Sequence, residues 1–195
     1  MRLHVPLLSN IFGVLASYFL LIWCHAYLSE SAFSIFWIIL GMLYTNAFEY
    51  GYHRVLLHTR VPCLSFLGYM WLDHLEHHYA FSEKSTSRDP KDFENILTSW
   101  YVFALLLFFH YSVALFVMPH VSISSFFAGV TFQFLVLYQV NHWFTHVTDS
   151  WYDKALEKVM LIGTLRILQK EHHWDHHKRP DGKYSFGPPL QWFGF

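Results

Sequence analysis

Four clusters of histidine carry the most chemical information in the sequence. They read HRVLLH, HLEHH, HWFTH and HHWDHH, and they hold most of the fifteen histidines among the 195 residues. Neutral imidazole binds iron, zinc, copper and nickel, whereas calcium and magnesium require oxygen ligands. The clusters therefore predict a site for transition-metal ions, with no catalytic residue beyond the metal ligands. The ten predicted ligands are His53, His58, His74, His77, His78, His142, His146, His173, His176 and His177.

The spacing within the clusters favours two ions over one. A helix turns by about 100° per residue, so the two histidines of HWFTH, four residues apart, would share one face. Adjacent histidines such as His77 and His78 would point about 100° apart, which suits ligation of different ions. His53 and His58, five residues apart, would diverge by about 140°, so they predict a distorted helix end or ligation of separate ions.

Acidic residues near the clusters are candidates for orienting the ligands, because a ligating histidine usually donates its second ring N–H to a carboxylate or a carbonyl. These candidates are Glu49, Asp73, Glu76, Asp149, Glu171 and Asp175. The role of His172, an extra histidine in the fourth cluster, stays open. The histidines outside the clusters are predicted to be ordinary packing or interface residues. They are His4, His25, His110 and His120.

The composition predicts an integral membrane protein. Hydrophobic residues make up 54% of the chain and charged residues only 14%, which is too apolar for an ordinary soluble domain. Four stretches without Asp, Glu, Lys or Arg are long enough, or nearly so, to cross a hydrocarbon core about 30 Å thick. They comprise residues 7–28, 32–48, 96–117 and 121–140. The predicted fold is all-α, with four transmembrane helices in two hairpins, in a single domain over residues 1–195.

The basic residues predict the orientation of the chain. Arg2, five residues within 49–95 and seven after residue 150 account for all thirteen Lys and Arg. Neither hairpin turn contains one, so the positive-inside rule places both termini and the segment 49–95 in the cytosol. A helical cap of residues 49–95 and 141–195 would then carry the histidines on that face. The net charge of −1 gives no indication of a nucleic-acid partner.

In order and spacing, the four clusters resemble the histidine boxes of the fatty acid hydroxylase and sterol desaturase superfamily. The matching segments are H-x4-H in EYGYHRVLLH, H-x2-HH in HLEHH, H-x3-H in NHWFTH and H-x2-HH in HHWDHH. The resemblance covers residues 46–193, and the first box is similar to that of fatty acid 2-hydroxylases. It implies a four-helix membrane unit beneath a cytosolic cap, in which the ten box histidines hold a non-haem dimetal centre.

The resemblance implies a monooxygenase of lipid biosynthesis that hydroxylates a C–H bond of a fatty acyl chain or related lipid. The implied cofactors are two iron ions, with dioxygen as co-substrate, and zinc would fit the same ligands in purified protein. Because the sequence has no recognisable haem or iron–sulfur motif, a separate donor such as cytochrome b5 or a ferredoxin system would supply electrons. The protein would lie in the endoplasmic reticulum of a eukaryote or the cytoplasmic membrane of a bacterium.

Two other functions are compatible with the sequence. A lipid or sterol desaturase would use the same centre, and LRILQKEHHWDHH is similar to the last box of the desaturases that form plasmalogens. A non-redox membrane protein that binds or transports zinc would also use histidine. Transport predicts ionisable residues along a path through the membrane, and the predicted spans contain few beyond His25 and His110.

Overall fold

The computed structural model describes residues 5–28, 32–58, 68–81, 96–147, 150–179, 182–185 and 190, and every regular element in these ranges is helical. The chain divides into two compact units, the first of residues 1–45 and 98–136, the second of residues 46–97 and 137–195. In chain order the elements are α1 Val5–Ala26, α2 Ile35–Tyr52, a first π-helical segment His53–Leu57, α3 Gly68–Ala80, α4 Trp100–Val117, α5 His120–Phe132, a second π-helical segment Gln133–Val140, α6 Asn141–His146, α7 Trp151–Leu156 and α8 Met160–Lys178.

Among the described residues, three helices are long and apolar enough to cross a membrane. They are Pro6–Ala26, Trp100–Val117 and His120–His146, the last of which runs from α5 through the second π-helical segment and α6. They correspond to the first, third and fourth predicted spans, so the prediction of a helical membrane protein is confirmed in this coarser form. The second predicted span, residues 32–48, falls on α2, which is not among the three. The end of α2 carries polar side chains, including Thr45, Asn46 and Glu49.

The first unit packs around one face of each of α1, α4 and α5. Along α4 the buried residues recur every three or four positions, which places them on one side of the helix. Aromatic rings pack within this core, and those of Phe103 and Phe134 stack with centroids 4.3 Å apart. The buried core residues are Val14, Leu21, Phe103, Leu107, Tyr111, Ala114, Ile123, Phe126, Phe127, Val130 and Leu135.

Histidines outside the clusters bond to the backbone. His25, at the end of α1, is fully buried, and its Nε2 donates to the carbonyl of His120 at 2.9 Å. Its Nδ1 accepts from the Tyr111 hydroxyl at 3.2 Å. His110 and His120 each donate to a carbonyl of α4. The prediction of a packing residue is confirmed for His25, which is fully buried, whereas His110 is partly buried, His120 is exposed and His4 lies outside the described residues.

The second unit contains all ten predicted ligands. It comprises the end of α2 with the first π-helical segment, and α3, α6, α7 and α8. The short helix α7 begins after Ser150, whose hydroxyl accepts from the Asp153 amide at 3.0 Å and so caps the helix. One face of the 19-residue α8 is buried from Arg166 to His177. The histidines of the fourth cluster lie on this buried face.

Candidate metal centre

The first histidine group brings together residues from three parts of the second unit. The first π-helical segment and the residue after it supply two histidines, α3 supplies two and α8 supplies one. One ring nitrogen of each lies within 4.8 Å of those of the others. The five members are His53, His58, His74, His78 and His176.

The nitrogen separations in this group match those expected around one ion. Nε2 of His53 lies 2.9 Å from Nε2 of His74 and 3.0 Å from that of His58, and the latter two are 2.9 Å apart. Nε2 of His176 is 3.1 Å from that of His58, and Nε2 of His78 is 3.1 Å from that of His74. A metal–nitrogen distance of about 2.1 Å puts neighbouring ligands about 3.0 Å apart at octahedral angles and about 3.4 Å apart at tetrahedral angles. The group therefore fits an ion with angles near the octahedral value.

A π-helical segment explains how two histidines five residues apart join one group. An α-helix would separate them by about 140°, but the hydrogen bonds of a π-helix join residues i and i+5, which then lie on the same side. The segment His53–Leu57 has this geometry and ends immediately before His58. The distorted helix end predicted from the spacing is thus confirmed.

The second group lies at the meeting of α3, α6 and α8, and all of its members are buried. Nε2 of His146 is 3.3 Å from Nε2 of His142 and 2.8 Å from that of His173. The four members, whose ligand nitrogens again lie within 4.8 Å of one another, are His77, His142, His146 and His173.

Histidines of one box serve different groups. In HLEHH, His77 belongs to the second group and His78 to the first, and in HHWDHH, His173 belongs to the second and His176 to the first. This is the division expected from the 100° turn between neighbours on a helix. The tenth predicted ligand, His177, is in neither set, but its Nε2 is 3.0 Å from that of His173 and its ring stacks on His78 at 4.3 Å. It therefore contacts members of both groups.

Two ligands of the first group are oriented by backbone carbonyls of residues 182–185. Nδ1 of His53 donates to the Tyr184 carbonyl, and Nδ1 of His176 donates to the Gly182 carbonyl at 2.8 Å. A carbonyl can only accept, so each ring carries its proton on Nδ1 and presents the Nε2 lone pair to the group. Lys183, between the two carbonyls, has a φ of 59°, a left-handed conformation uncommon for a residue other than glycine.

The predicted orienting carboxylates differ in their surroundings. Glu49 is buried and accepts from the Asn46 amide at 3.3 Å. Asp175 is about half exposed and pairs with Lys183 at 2.7 Å. Asp149 lies outside the described residues. The exposed members are Asp73, Glu76 and Glu171. A role for these carboxylates in orienting the ligands stays a prediction, and the carbonyls of residues 182–185 are orienting groups that the sequence did not indicate.

Burial keeps the clustered histidines neutral. It lowers the pKa of His58 to about 4 and the pKa values of His176 and His177 to about 3. In four others, burial and then repulsion between neighbouring imidazolium ions hold the pKa well below its usual range. These four are His53, His74, His77 and His173. Neutral imidazole is the form that binds metal, so the site is ready to bind at pH 7 without releasing protons.

His77 provides a test of whether a metal fits. Both of its ring nitrogens are buried, and neither has a hydrogen-bond partner among the described residues. A buried polar atom without a partner is costly. An ion in the second group would satisfy one of these nitrogens, and the donor set consists of imidazoles that suit transition metals. The residues present therefore fit a bound ion.

The fold and the site define a class of protein. The described part of the chain is helical, has three helices able to span a membrane, and carries two histidine groups that could each hold a metal ion. No protein-family model, curated protein or solved structure matches the chain. Function must therefore be inferred from the site.

Proposed function

We propose that this protein is a lipid hydroxylase that uses dioxygen at a histidine-ligated di-iron centre. The observation that carries the proposal is the division of nine histidines from four boxes into groups of five and four with converging ring nitrogens. Structural zinc needs only four ligands, so two adjacent imidazole sites favour a dimetal reaction centre over a structural ion. The order of the boxes supports membership of the fatty acid hydroxylase and sterol desaturase superfamily.

Four membrane crossings are part of the proposal, with α2 as the additional one. The start of α2 lies beside the start of α5, because the Ala32 amide donates to the Val121 carbonyl at 3.1 Å. The Ser34 amide donates to the Ser125 hydroxyl at 3.0 Å. In the first unit α2 thus begins alongside a helix that could span the membrane. Four crossings and the positive-inside rule would place the histidine boxes in the cytosol.

The chemistry that two bound iron ions supply is activation of dioxygen for oxidation of an unactivated C–H bond. Hydroxylation converts R–H, O2, two electrons and two protons into R–OH and water, so an electron donor such as cytochrome b5 or a ferredoxin is required. The chain itself contributes neutral imidazoles, two of them fixed by the carbonyls of Gly182 and Tyr184. Attachment to a membrane lets an acyl chain reach the site without transfer into water.

The proposal is tested by combining metal analysis with lipid analysis. Anaerobically purified protein should contain one iron ion for each group, two per chain. Cells that express it should contain lipids heavier by one oxygen atom, and cells that express the His146→Ala variant should not. Lipids lighter by two hydrogens would instead identify a desaturase. Protein that binds only zinc, and that leaves every lipid unchanged after reloading with iron and a reductant, would overturn the oxidase function.

A further inference from the structure

A network of polar side chains connects α7 and α8 with the second π-helical segment, which leads into α6. Nε of Arg166 donates to Oδ1 of Asp153 at 2.8 Å, and Nη1 of Arg166 donates to Oε1 of Gln169 at 3.0 Å. Nε2 of Gln169 in turn donates to the Leu137 carbonyl at 3.3 Å. The network thus runs from α7 through α8 to the second π-helical segment.

Asn141 and Tyr152 close this network into a ring. Nδ2 of Asn141 donates to the same Leu137 carbonyl at 3.3 Å, and the Tyr152 hydroxyl donates to Oδ1 of Asn141 at 2.6 Å. Because Tyr152 and Asp153 are neighbours in the chain, the path returns to its start. The polar ring is defined as Leu137, Asn141, Tyr152, Asp153, Arg166 and Gln169.

The position of the polar ring couples it to the second group. Asn141 directly precedes the ligand His142 at the start of α6. Gln169 is four residues before the ligand His173, and the two lie on the same face of α8. In the first group, by contrast, His176 is oriented by the Gly182 carbonyl. The ring is therefore placed to set α6 against α8 without acting directly on the first group.

The polar ring is costly to bury, which indicates a role beyond stability. Arg166 and Asp153 are 3% and 5% exposed, and Lys170 adds a second ion pair to Asp153 at 2.7 Å. Desolvation of buried ions offsets most of their attraction, so apolar side chains would join these helices at least as stably. Hydrogen bonds, however, fix both distance and angle between helices. The hydrogen bonds of the polar ring therefore fix the relative orientation of the helices, which apolar packing would not do.

We propose that the polar ring positions the second histidine group by fixing α6 and α7 relative to α8. The inference rests on the metal-binding part of the proposed function. The members of the polar ring are positioning residues, because they act through the ligands His142, His146 and His173. Loss of one hydrogen bond of the polar ring should displace these ligands and weaken binding of the ion that they hold. Groups hydrogen-bonded directly to metal ligands are typically worth about 10–100-fold in metal affinity, and for the polar ring, which acts one step further away, we expect an effect at the lower end of this range.

Two neutral substitutions test this role with little disturbance of charge. Tyr152→Phe removes only the hydroxyl that bonds to Asn141 and keeps the aromatic ring 5.7 Å from the Arg166 guanidinium. Gln169→Met removes two hydrogen bonds with little change in volume. Thr164→Ala is the matched control, because Thr164 is exposed on the same helix and its hydroxyl bonds to a carbonyl one turn earlier.

Cobalt(II) is titrated into the metal-free full-length protein, since its visible absorption reports affinity and coordination number. Each polar-ring variant is combined with His58→Ala and His74→Ala, which leave three imidazoles in the first group and the second group intact, or with His142→Ala and His146→Ala, which leave two imidazoles in the second group and the first group intact. Cobalt affinity should fall by about tenfold in the first combination and stay unchanged in the second. Thr164→Ala should change neither.

Equal losses of cobalt affinity in both combinations, or no loss in either, would overturn the inference. If Gln169→Met does not fold, Tyr152→Phe alone is sufficient for the test. Wild-type protein that binds no cobalt would overturn the proposed function and this inference together. If the wild-type protein binds two ions and the polar-ring variants lose cobalt affinity as expected, but no lipid is oxidised, the oxidase function would be overturned and the inference would stand.

Discussion

Gly41 and Gly129 lie at a reciprocal close contact between α2 and α5. A Cβ atom on Gly41 would overlap the carbonyl oxygen of Phe126, and a Cβ atom on Gly129 would overlap that of Ile38. Small residues at such contacts let membrane helices approach by their backbones, where van der Waals packing replaces the hydrophobic effect. The pair therefore holds α2 against a helix that could span the membrane, although the end of α2 is polar.

Gly129→Ala should destabilise the protein, because the atom that the new methyl group meets belongs to the backbone and cannot rotate away. We expect a loss of about 1–3 kcal/mol in the free energy of unfolding, measured as a lower melting temperature in detergent. Gly51→Ala is the matched control, since a Cβ atom there has no neighbour within 4 Å and alanine favours a helix by up to about 1 kcal/mol. Equal melting temperatures for the two variants would argue against the close contact.

Much of the fold could be predicted from hydropathy, but the contacts of the polar end of α2 could not. Long uncharged apolar stretches are sufficient to predict α1, α4 and α5, because lipid solvates their side chains without help from other residues. The polar end of α2 depends on specific partners instead. Asn46 is fully buried and donates to the Ser185 hydroxyl at 3.2 Å, a residue far away in the chain. A hydropathy average over neighbouring residues cannot predict a hydrogen bond between residues so far apart in the chain.

Deletion of Val55 should disrupt the first histidine group while the second is retained. Val55 lies within the first π-helical segment and is about half exposed, so removing it shortens the π-helical turn to an α-helical one. His53 and His58 would then be four residues apart in the chain, but their register with α3 and α8 would be lost. Metal analysis should show one ion per chain. Val55→Ala, which keeps the residue count, should still bind two, and two ions in the deletion variant would contradict the role of the π-helical turn.

The ligand set was predictable where a regular helix determines the geometry. Fixed angles between neighbours were enough to predict that adjacent histidines divide between two ions. The orienting groups were not predictable, because backbone carbonyls such as those of Gly182 and Tyr184 leave no signal in residue type. Asn141 and Gln169 did leave a weak signal, since each is a polar residue within one turn of a predicted ligand. Their partners, however, depend on how α6, α7 and α8 pack together.

His173→Ala and His172→Ala should differ sharply although the two residues are adjacent and both buried. Nε2 of His173 is 2.8 Å from Nε2 of His146 within the second group, whereas His172 belongs to neither group. His173→Ala should lose one of two bound ions and, on the proposed function, all lipid oxidation. His172→Ala should keep both ions and most of the activity. Loss of an ion from His172→Ala would show that the second group includes this residue.

The metal-free protein should become less stable as the pH falls below about 6.5, the ordinary pKa of histidine in an unfolded chain. In the folded protein, burial lowers the pKa values of His176 and His177 to about 3, so between pH 6.5 and about 3 these two side chains take up protons only in the unfolded chain. The stability that depends on these neutral rings is complete above pH 6.5 and declines by up to about 1.4 kcal/mol per pH unit for each ring. The free energy of unfolding continues to decrease until His176 and His177 themselves take up protons in the folded protein, near their own pKa values. Chelator-treated protein is melted from about pH 8 to about pH 5, and a melting temperature that stays constant or rises below pH 6.5 would contradict the neutral, buried state of these histidines.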